Sequence, residues 1–319
     1  IITSYNQAET LHQYASTGIY EIRIGGEISG WYFHNEGDDD KIIEIYNWGP
    51  LRFKNTAGND HSIFQGCSNL KLSATDSLTL DGENNGDSMF EGCDKLGDEG
   101  NMNSWDTSNI TTMHQMFYNA TGFNQPVGAW DTSSCTNMHQ VFRRHEGGMT
   151  FDQDIGAWDV SSVTRMDYMF GADGAGANAF NNGGSSSISG WDTSSCTNMQ
   201  QMFIRCSSFN QPIGNWDTSK VTNMYWMLRF CGSFNQDLGG WDMTGVTDLS
   251  NFFQGCDDFN NGGSTGINNW RPSSCTSMHQ MFYGITGFNQ PIGAWDTSSC
   301  TNMHQVFRRH EGGMTFDQD

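Results

Sequence analysis

Trp216-Asp-Thr-Ser-Lys-Val-Thr-Asn-Met-Tyr-Trp-Met-Leu-Arg-Phe-Cys-Gly-Ser-Phe-Asn-Gln-Asp-Leu-Gly-Gly-Trp241 is one complete period of this chain. The tryptophan returns as Trp105, Trp130, Trp158, Trp191, Trp216, Trp241, Trp270 and Trp295, at steps of 25, 28, 33, 25, 25, 29 and 25 residues. Asp follows it in seven of the eight cases, Met or Leu stands eight residues on, and an apolar pair stands eleven and twelve residues on. A fixed period of this length predicts a solenoid, in which each unit buries its apolar side against its neighbours.

Within the unit, Val221, Met224, Met227 and Leu228 have the three-and-four spacing of a short helical turn. The Asp-Thr-Ser run before them supplies oxygens to cap it. Phe234 to Trp241, with apolar residues among glycines, suits a short strand. The expected fold class is therefore an α/β solenoid, a leucine-rich-repeat-like stack of about 25-residue coils, each a short parallel strand plus a short helical turn. In residues 1–60, Tyr20-Glu-Ile-Arg-Ile24 and Lys41-Ile-Ile-Glu-Ile-Tyr46 alternate like half-buried strands around Trp31-Tyr-Phe33, predicting an N-terminal β-rich cap. Residues 61–104 read as degenerate repeats with the Phe-x-x-Cys pattern of Phe64–Cys67 and Phe90–Cys93, and 105–319 as regular repeats.

Extra residues cluster at two places. Phe180 to Trp191 and Phe259 to Trp270 are eleven-residue steps where other coils have seven. The second place follows the apolar pair, at Arg143-Arg144-His145-Glu146-Gly-Gly and Gly171-Ala-Asp-Gly-Ala-Gly. Both read as surface loops. A larger repeat lies above the coil, since residues 112–154 and 277–319 match at 39 of 43 positions, 165 residues apart. Phe316-Asp-Gln-Asp319 repeats Phe151-Asp-Gln-Asp154, so the last coil reads as interrupted, and an uncovered apolar end points to a longer assembly.

The run Phe209-Asn-Gln-Pro-Ile-Gly-Asn-Trp-Asp-Thr-Ser-Lys-Val-Thr-Asn-Met224, recurring with Gly-Cys and Met-Phe signatures, resembles the BspA-like leucine-rich repeat surface proteins, also called the DUF285 repeat family. The resemblance covers roughly residues 60 to 319. It implies a secreted or surface-displayed protein engaged in adhesion or extracellular architecture, without catalytic function.

The formal net charge is -21, which opposes nucleic acid and anionic membranes as partners. No apolar run approaches the length of a membrane span, so membrane insertion is not expected. Cys135, Cys196, Cys275 and Cys300 take a position held by Val or Ile in other coils. Cys67, Cys93, Cys206, Cys231 and Cys256 take a second small position. Both sets read first as buried free thiols, with disulfides between neighbouring coils as the other reading.

Asp106, Asp131, Asp159, Asp192, Asp217, Asp242 and Asp296 form a ladder, broken by Arg271. Capping of the turn that follows is its plain reading. Calcium held between coils is the sharper one and the sole cofactor reading. Arg271 would pair with a neighbouring Asp. The Asn-Gln steps read as a polar column bonding adjacent coils, and the Phe before each as an internal spine. His114, His139, His279 and His304 read as solvent-exposed. Arg143, Arg144, His145 and their copies Arg308, Arg309, His310 form basic loops on an acidic rod and are the interface candidates. Asn109 and Asn119 begin Asn-x-Thr sequons.

No nucleophile elbow or zinc-helix motif occurs, and identical columns make poor active sites, so no enzyme is expected. The first functional reading is an extracellular structural protein, the building block of a surface fibre, appendage or coat, with copies of itself or other surface proteins as partners. The alternative is a cell-surface adhesin for a host protein, glycan or mineral, with contacts at loops 171–190 and 260–269.

Overall fold

The computed structural model describes residues 16–24, 27–29, 32–33, 35, 37–54, 62–80 and 85–309. Successive repeats lie on one another through single parallel bridges at the seventh residue after each tryptophan: Thr112, Asn137, Arg165, Asn198, Asn223, Asp248, Ser277 and Asn302 pair in that order. Around each bridge a longer ladder runs. Met199, Gln201, Phe203 and Arg205 donate their N–H groups to the carbonyls of Asn223, Tyr225, Met227 and Arg229 in the next repeat. The intervening Met202, Ile204 and Cys206 donate three residues back, within their own turns. Half of the backbone donors thus bond between layers and half close turns, so the ladder stays satisfied although its core is buried.

The helical turn expected at Val221–Leu228 is not formed. Its place is taken by this turn ladder, and Phe234–Trp241, expected to be a strand, has neither strand nor bridge. The apolar spacing misleads because two consecutive turns also send Met224, Met227 and Leu228 inward, all fully buried. What distinguishes them from a helix is the backbone. The tenth residue after each tryptophan has positive φ, at Gln115, Gln140, Tyr168, Gln201, Trp226, Asn251, Gln280 and Gln305. Such values are uncommon for non-glycine residues and persist where the surroundings over-determine them. Here each of these residues sits third in a tight turn, where a left-handed conformation is required.

Three aromatic columns fill the interior. Repeat tryptophans stack at 5.5 to 6.4 Å between ring centroids. One phenylalanine column runs Phe90, Phe117, Phe142, Phe170, Phe203 and, beyond Leu228, Phe253, Phe282, Phe307, at 5.4 to 5.7 Å. A second, Phe123 to Phe288, carries the Phe of each Phe-Asn-Gln step and its counterparts. Within a repeat the two are 3.6 to 4.4 Å apart. Large rings supply the apolar area that a chain poor in aliphatic residues needs.

Layering reaches into the N-terminal segment. β1 (Glu27–Ser29) pairs in parallel with β3 (Arg52–Lys54), and β2 (Glu44–Ile45) with β4 (Lys71–Leu72). Arg52 bridges on to Thr79. Tyr20–Ile24, expected as a strand, forms none, and Tyr20, Ile22 and Ile24 are exposed. Trp31, His310 and the terminal Phe316–Asp319 lie outside the described residues.

The eleven-residue steps are not plain surface loops. Each folds into two 3-10 turns, Asn182–Gly184 with Ser186–Gly190 and Asn261–Gly263 with Thr265–Asn269, anchored by wholly buried Asn182, Ile188, Asn261 and Ile267. Gly183 and Gly262 have φ near +60°, which glycine adopts without steric cost.

Candidate functional site

Each residue of the Trp-Asp-Thr-Ser motif has a separate bond. In six repeats, though not at Trp191, the tryptophan Nε1 donates to a backbone carbonyl of the preceding repeat, as in Trp130 to Met102 at 2.7 Å, Trp216 to Ile188 at 2.9 Å and Trp270 to Leu238 at 2.8 Å. The buried threonine reaches the other way, Thr107, Thr132, Thr193 and Thr218 donating to the carbonyl of the next repeat's aspartate. The aspartate accepts the N–H two residues on. All seven, Asp106, Asp131, Asp159, Asp192, Asp217, Asp242 and Asp296, do so at 2.9 to 3.1 Å.

The ladder thus closes Asx turns and caps no helix. All seven carboxylates are exposed. The serine hydroxyl two residues on, then its N–H, holds Asp106, Asp131, Asp192, Asp217 and Asp296 below the usual carboxylate range. Among the described residues no three His, Cys, Asp or Glu side chains come together as a metal site would require. Arg271 does not pair with a neighbouring Asp; its guanidinium bonds the carbonyls of Asn268 and Trp270.

The Asn-Gln column bonds layer to layer. Asn181 Oδ1 accepts the N–H of Asn210, Asn210 that of Asn235, Asn235 that of Asn260, and Asn260 that of Asn289, at 2.8 to 3.0 Å. Gln211 and Gln236 donate to Asn181 and Asn210. Of the histidines expected in solvent, His304 is exposed, whereas His114, His139 and His279 are half-buried, and the four form two stacked pairs. His114 lies 5.2 Å from His139 and His279 5.4 Å from His304. His139 Nδ1 is 2.6 Å from Asp167 Oδ2, and Arg165 forks onto the same carboxylate. Burial pushes the Asp167 carboxyl up, but the bonds from His139 and Arg165 outweigh it and hold it below its ordinary value.

The basic loop is tied down within the chain. Arg143 Nη2 meets Asp173 Oδ2 at 2.5 Å, His145 Nδ1 meets it at 3.4 Å, and Arg144 bonds the Gly148 carbonyl. In the second copy Arg308 is exposed and Arg309 half-buried, and His310 is outside the described residues. Asn109 is exposed, whereas Asn119 Oδ1 accepts the N–H of His145.

Motif reading missed how charge is distributed. Seven of the ten arginines, Arg143, Arg144, Arg165, Arg205, Arg229, Arg308 and Arg309, fall between the seventh and fourteenth residues after a repeat tryptophan. Asp167 and Asp248 are the two acidic residues in those eight windows. The turn-ladder face therefore carries a formal charge of 7 − 2 = +5 over these eight repeats, or 7 − 4 = +3 with Asp87 and Glu91 of the preceding ladder layer, on a chain of net -21. Several of its arginines lie on rings. Arg143 is 4.1 Å over Tyr168, Arg205 4.8 Å over Phe230 and Arg229 3.9 Å over Trp226. The signal is present in the sequence, but only the ladder shows that these positions share one face.

All nine cysteines are free, eight of them buried. Burial pushes Cys135 and Cys275 up to about 11, and Cys67 and Cys196 up to about 12, which suits inert core thiols. No curated protein and no solved structure matches the chain. One family model does, that of the Mycoplasma protein of unknown function DUF285, over residues 84–186, 175–265 and 263–319. These three consecutive matches span most of the chain and coincide with the tryptophan-paced layers, and the chain belongs to the DUF285 family.

Proposed function

We propose that this chain is a non-enzymatic solenoid scaffold of the extracellular or cell-surface kind, which binds a partner carrying negative charge through its turn-ladder face. The observation that carries this reading is the net positive ladder face on a chain of net -21. Segregating scarce cations against the overall charge costs self-repulsion among them and is repaid by complementarity to a partner. The resemblance to BspA-like surface proteins supports an adhesive role. The likeness of one layer to the next supports a binding surface over catalysis, which needs a single asymmetric constellation. The contact site moves from the Gly/Ser steps to the ladder, because Asn182 and Asn261 anchor those steps in the core.

Retention on carboxymethyl beads at pH 7 and low salt tests the reading. A uniformly acidic protein flows through, whereas a segregated face is held and released by salt. A variant with Arg205, Arg229, Arg308 and Arg309 all changed to Gln should flow through; a wild-type chain that is never retained would sink the reading. The near-identity of residues 112–154 and 277–319 favours a second reading, a self-assembling structural protein. Concentration-dependent growth of ordered particles in sedimentation and electron microscopy, unaffected by those four changes, would put that reading first.

A further inference from the structure

Trp226 and Phe230 depart from their columns, whereas Arg229 shares its position with Arg143 and Arg308. The position of Trp226 is Gln in five of the eight repeats, and that of Phe230 is Gly in the next two. Together with Arg205 and Tyr225 they form one cluster. Tyr225 and Trp226 stack at 4.8 Å, and Arg229 lies 4.5 Å over Phe230 as well as over Trp226. Arg229 Nε donates to Gln254 Oε1 at 2.5 Å, and Trp226 Nε1 to Asn251 Oδ1 at 3.0 Å. Among the described residues neither Arg205 nor Arg229 forms an ion pair, unlike Arg143 and Arg165. Arg205 Nε is buried without a hydrogen-bond partner. Arg143 Nε is in the same state, but Arg143 has its ion pair with Asp173, whereas the unbonded donor of Arg205 has no carboxylate beside it among the described residues and can take an added acceptor.

Phe230 also forms one side of a cleft of about 290 Å³, lined in addition by Gln254, Gly255, Asp257, Tyr283 and Gly284. A Cβ on Gly255 would fall 2.5 Å from the Phe230 ring. Glycine there, in its left-handed conformation, therefore keeps the ring in place and the cleft open. The cleft offers aromatic walls, a glycine floor, an amide and one carboxylate.

We propose that this cleft and the adjoining Arg205–Arg229 pair form a subsite for a sugar residue bearing a single carboxylate or sulfate. The anion lies on the two guanidinium groups that cover Phe230, the sugar ring lies against Tyr283, and hydroxyls bond Gln254 and Asp257. Aromatic faces suit the apolar side of a sugar ring, and Arg suits forked recognition of an oxyanion. Asp257 accepts from a hydroxyl but repels a second anion. With the acidity of the rest of the chain, this disfavours a densely charged polymer such as a nucleic acid or a polyglutamate segment.

The proposal rests on the anionic-partner reading, and its test separates the two. Titration calorimetry at low salt compares a hyaluronate tetrasaccharide, a sulfated lactose, neutral lactose and a pentaglutamate peptide. At least one charged sugar should bind tenfold or more tighter than lactose, and which one does so distinguishes carboxylate from sulfate. The double variant R205Q/R229Q should lose roughly tenfold to a hundredfold, the range expected for charge-assisted bonds. R205K/R229K, which keeps the charge without the fork, should recover part of it. Thermal melts confirm that both variants fold. Tighter binding of pentaglutamate, equal affinity in the Gln variant, or no binding of either charged sugar would each overturn the subsite. Carboxymethyl retention that persists in any of these cases leaves the anionic-face reading standing.

Discussion

Asn261→Leu is the substitution whose cost the structure specifies most closely. Asn261 is 0% exposed. Its Oδ1 accepts the N–H of Leu238 at 2.8 Å, and its Nδ2 donates to the Ser264 carbonyl at 2.8 Å and to Asp237 Oδ1 at 3.0 Å. Leucine is close in volume but offers none of these bonds. The exposed Asp237 turns to water at little cost, whereas the buried Leu238 N–H cannot. One buried group left unbonded costs about 1–3 kcal/mol, and the half-shielded Ser264 carbonyl adds a similar or smaller amount, giving roughly 2–5 kcal/mol. Asn182 makes the same contacts to Ile155 N–H at 2.9 Å and the Ser185 carbonyl at 2.8 Å, so Asn182→Leu should cost as much. Urea unfolding followed by tryptophan fluorescence reads both, with Asn268→Ala as the control. That residue's bond to the Ala294 N–H is exposed, and its loss should cost less than about 1 kcal/mol. A midpoint for Asn261→Leu no lower than that of the control would refute the anchoring argument.

Trp191 Nε1 is buried without a partner, whereas Trp216 Nε1 bonds the Ile188 carbonyl. Trp216→Phe should therefore destabilise by about 1–3 kcal/mol more than Trp191→Phe, and equal losses in urea unfolding would contradict this. If the Asp ladder serves Asx turns, Asp131→Asn keeps the acceptor and stays near wild type, while Asp131→Ala loses about 0.5–2 kcal/mol. Added calcium or a chelator should then leave the melting temperature unchanged, and a rise of several degrees with calcium would restore the metal reading. Burial, partly offset by Asp87, lowers the His114 pKa below 6.5. The unfolded chain then takes up the proton first, so stability should fall as pH drops through about 6.5 and level off below the folded value. His114→Gln should flatten melting curves across that window. The depressed carboxyl of Asp167 acts lower: its stabilisation is present above about pH 3.9 and is lost as pH falls through the folded value. Asp167→Asn should weaken that acid limb, and an unchanged limb would count against the His139–Asp167–Arg165 bonds.

Repetition made much of the molecule readable. A residue that alternates with Val and Ile, as Cys135 and Cys275 do, had to be a small core side chain. The Asn of each Phe-Asn-Gln step, recurring at layer spacing, had to meet its own kind. The local conformation was not readable in the same way. Val221, Met224, Met227 and Leu228 satisfy both a helix and a pair of tight turns, since each sends the same positions inward. The deciding signal, positive φ at residues such as Gln201 and Trp226, falls on side chains that do not advertise it.

The sequence by itself determined the period, the places where extra residues enter, the aromatic filling and the excess of acid, because each depends on composition and spacing along one strand of chain. Tertiary structure decided the rest. Whether Arg205 is paired, whether Asn261 is an anchor or a loop residue, and whether Met224 to Leu228 turn as a helix or as a ladder depend on groups more than twenty residues away in the neighbouring layers. Those partners are brought to hydrogen-bonding distance only when the backbone ladder forms, and the energy of a buried polar group is set by what it meets there.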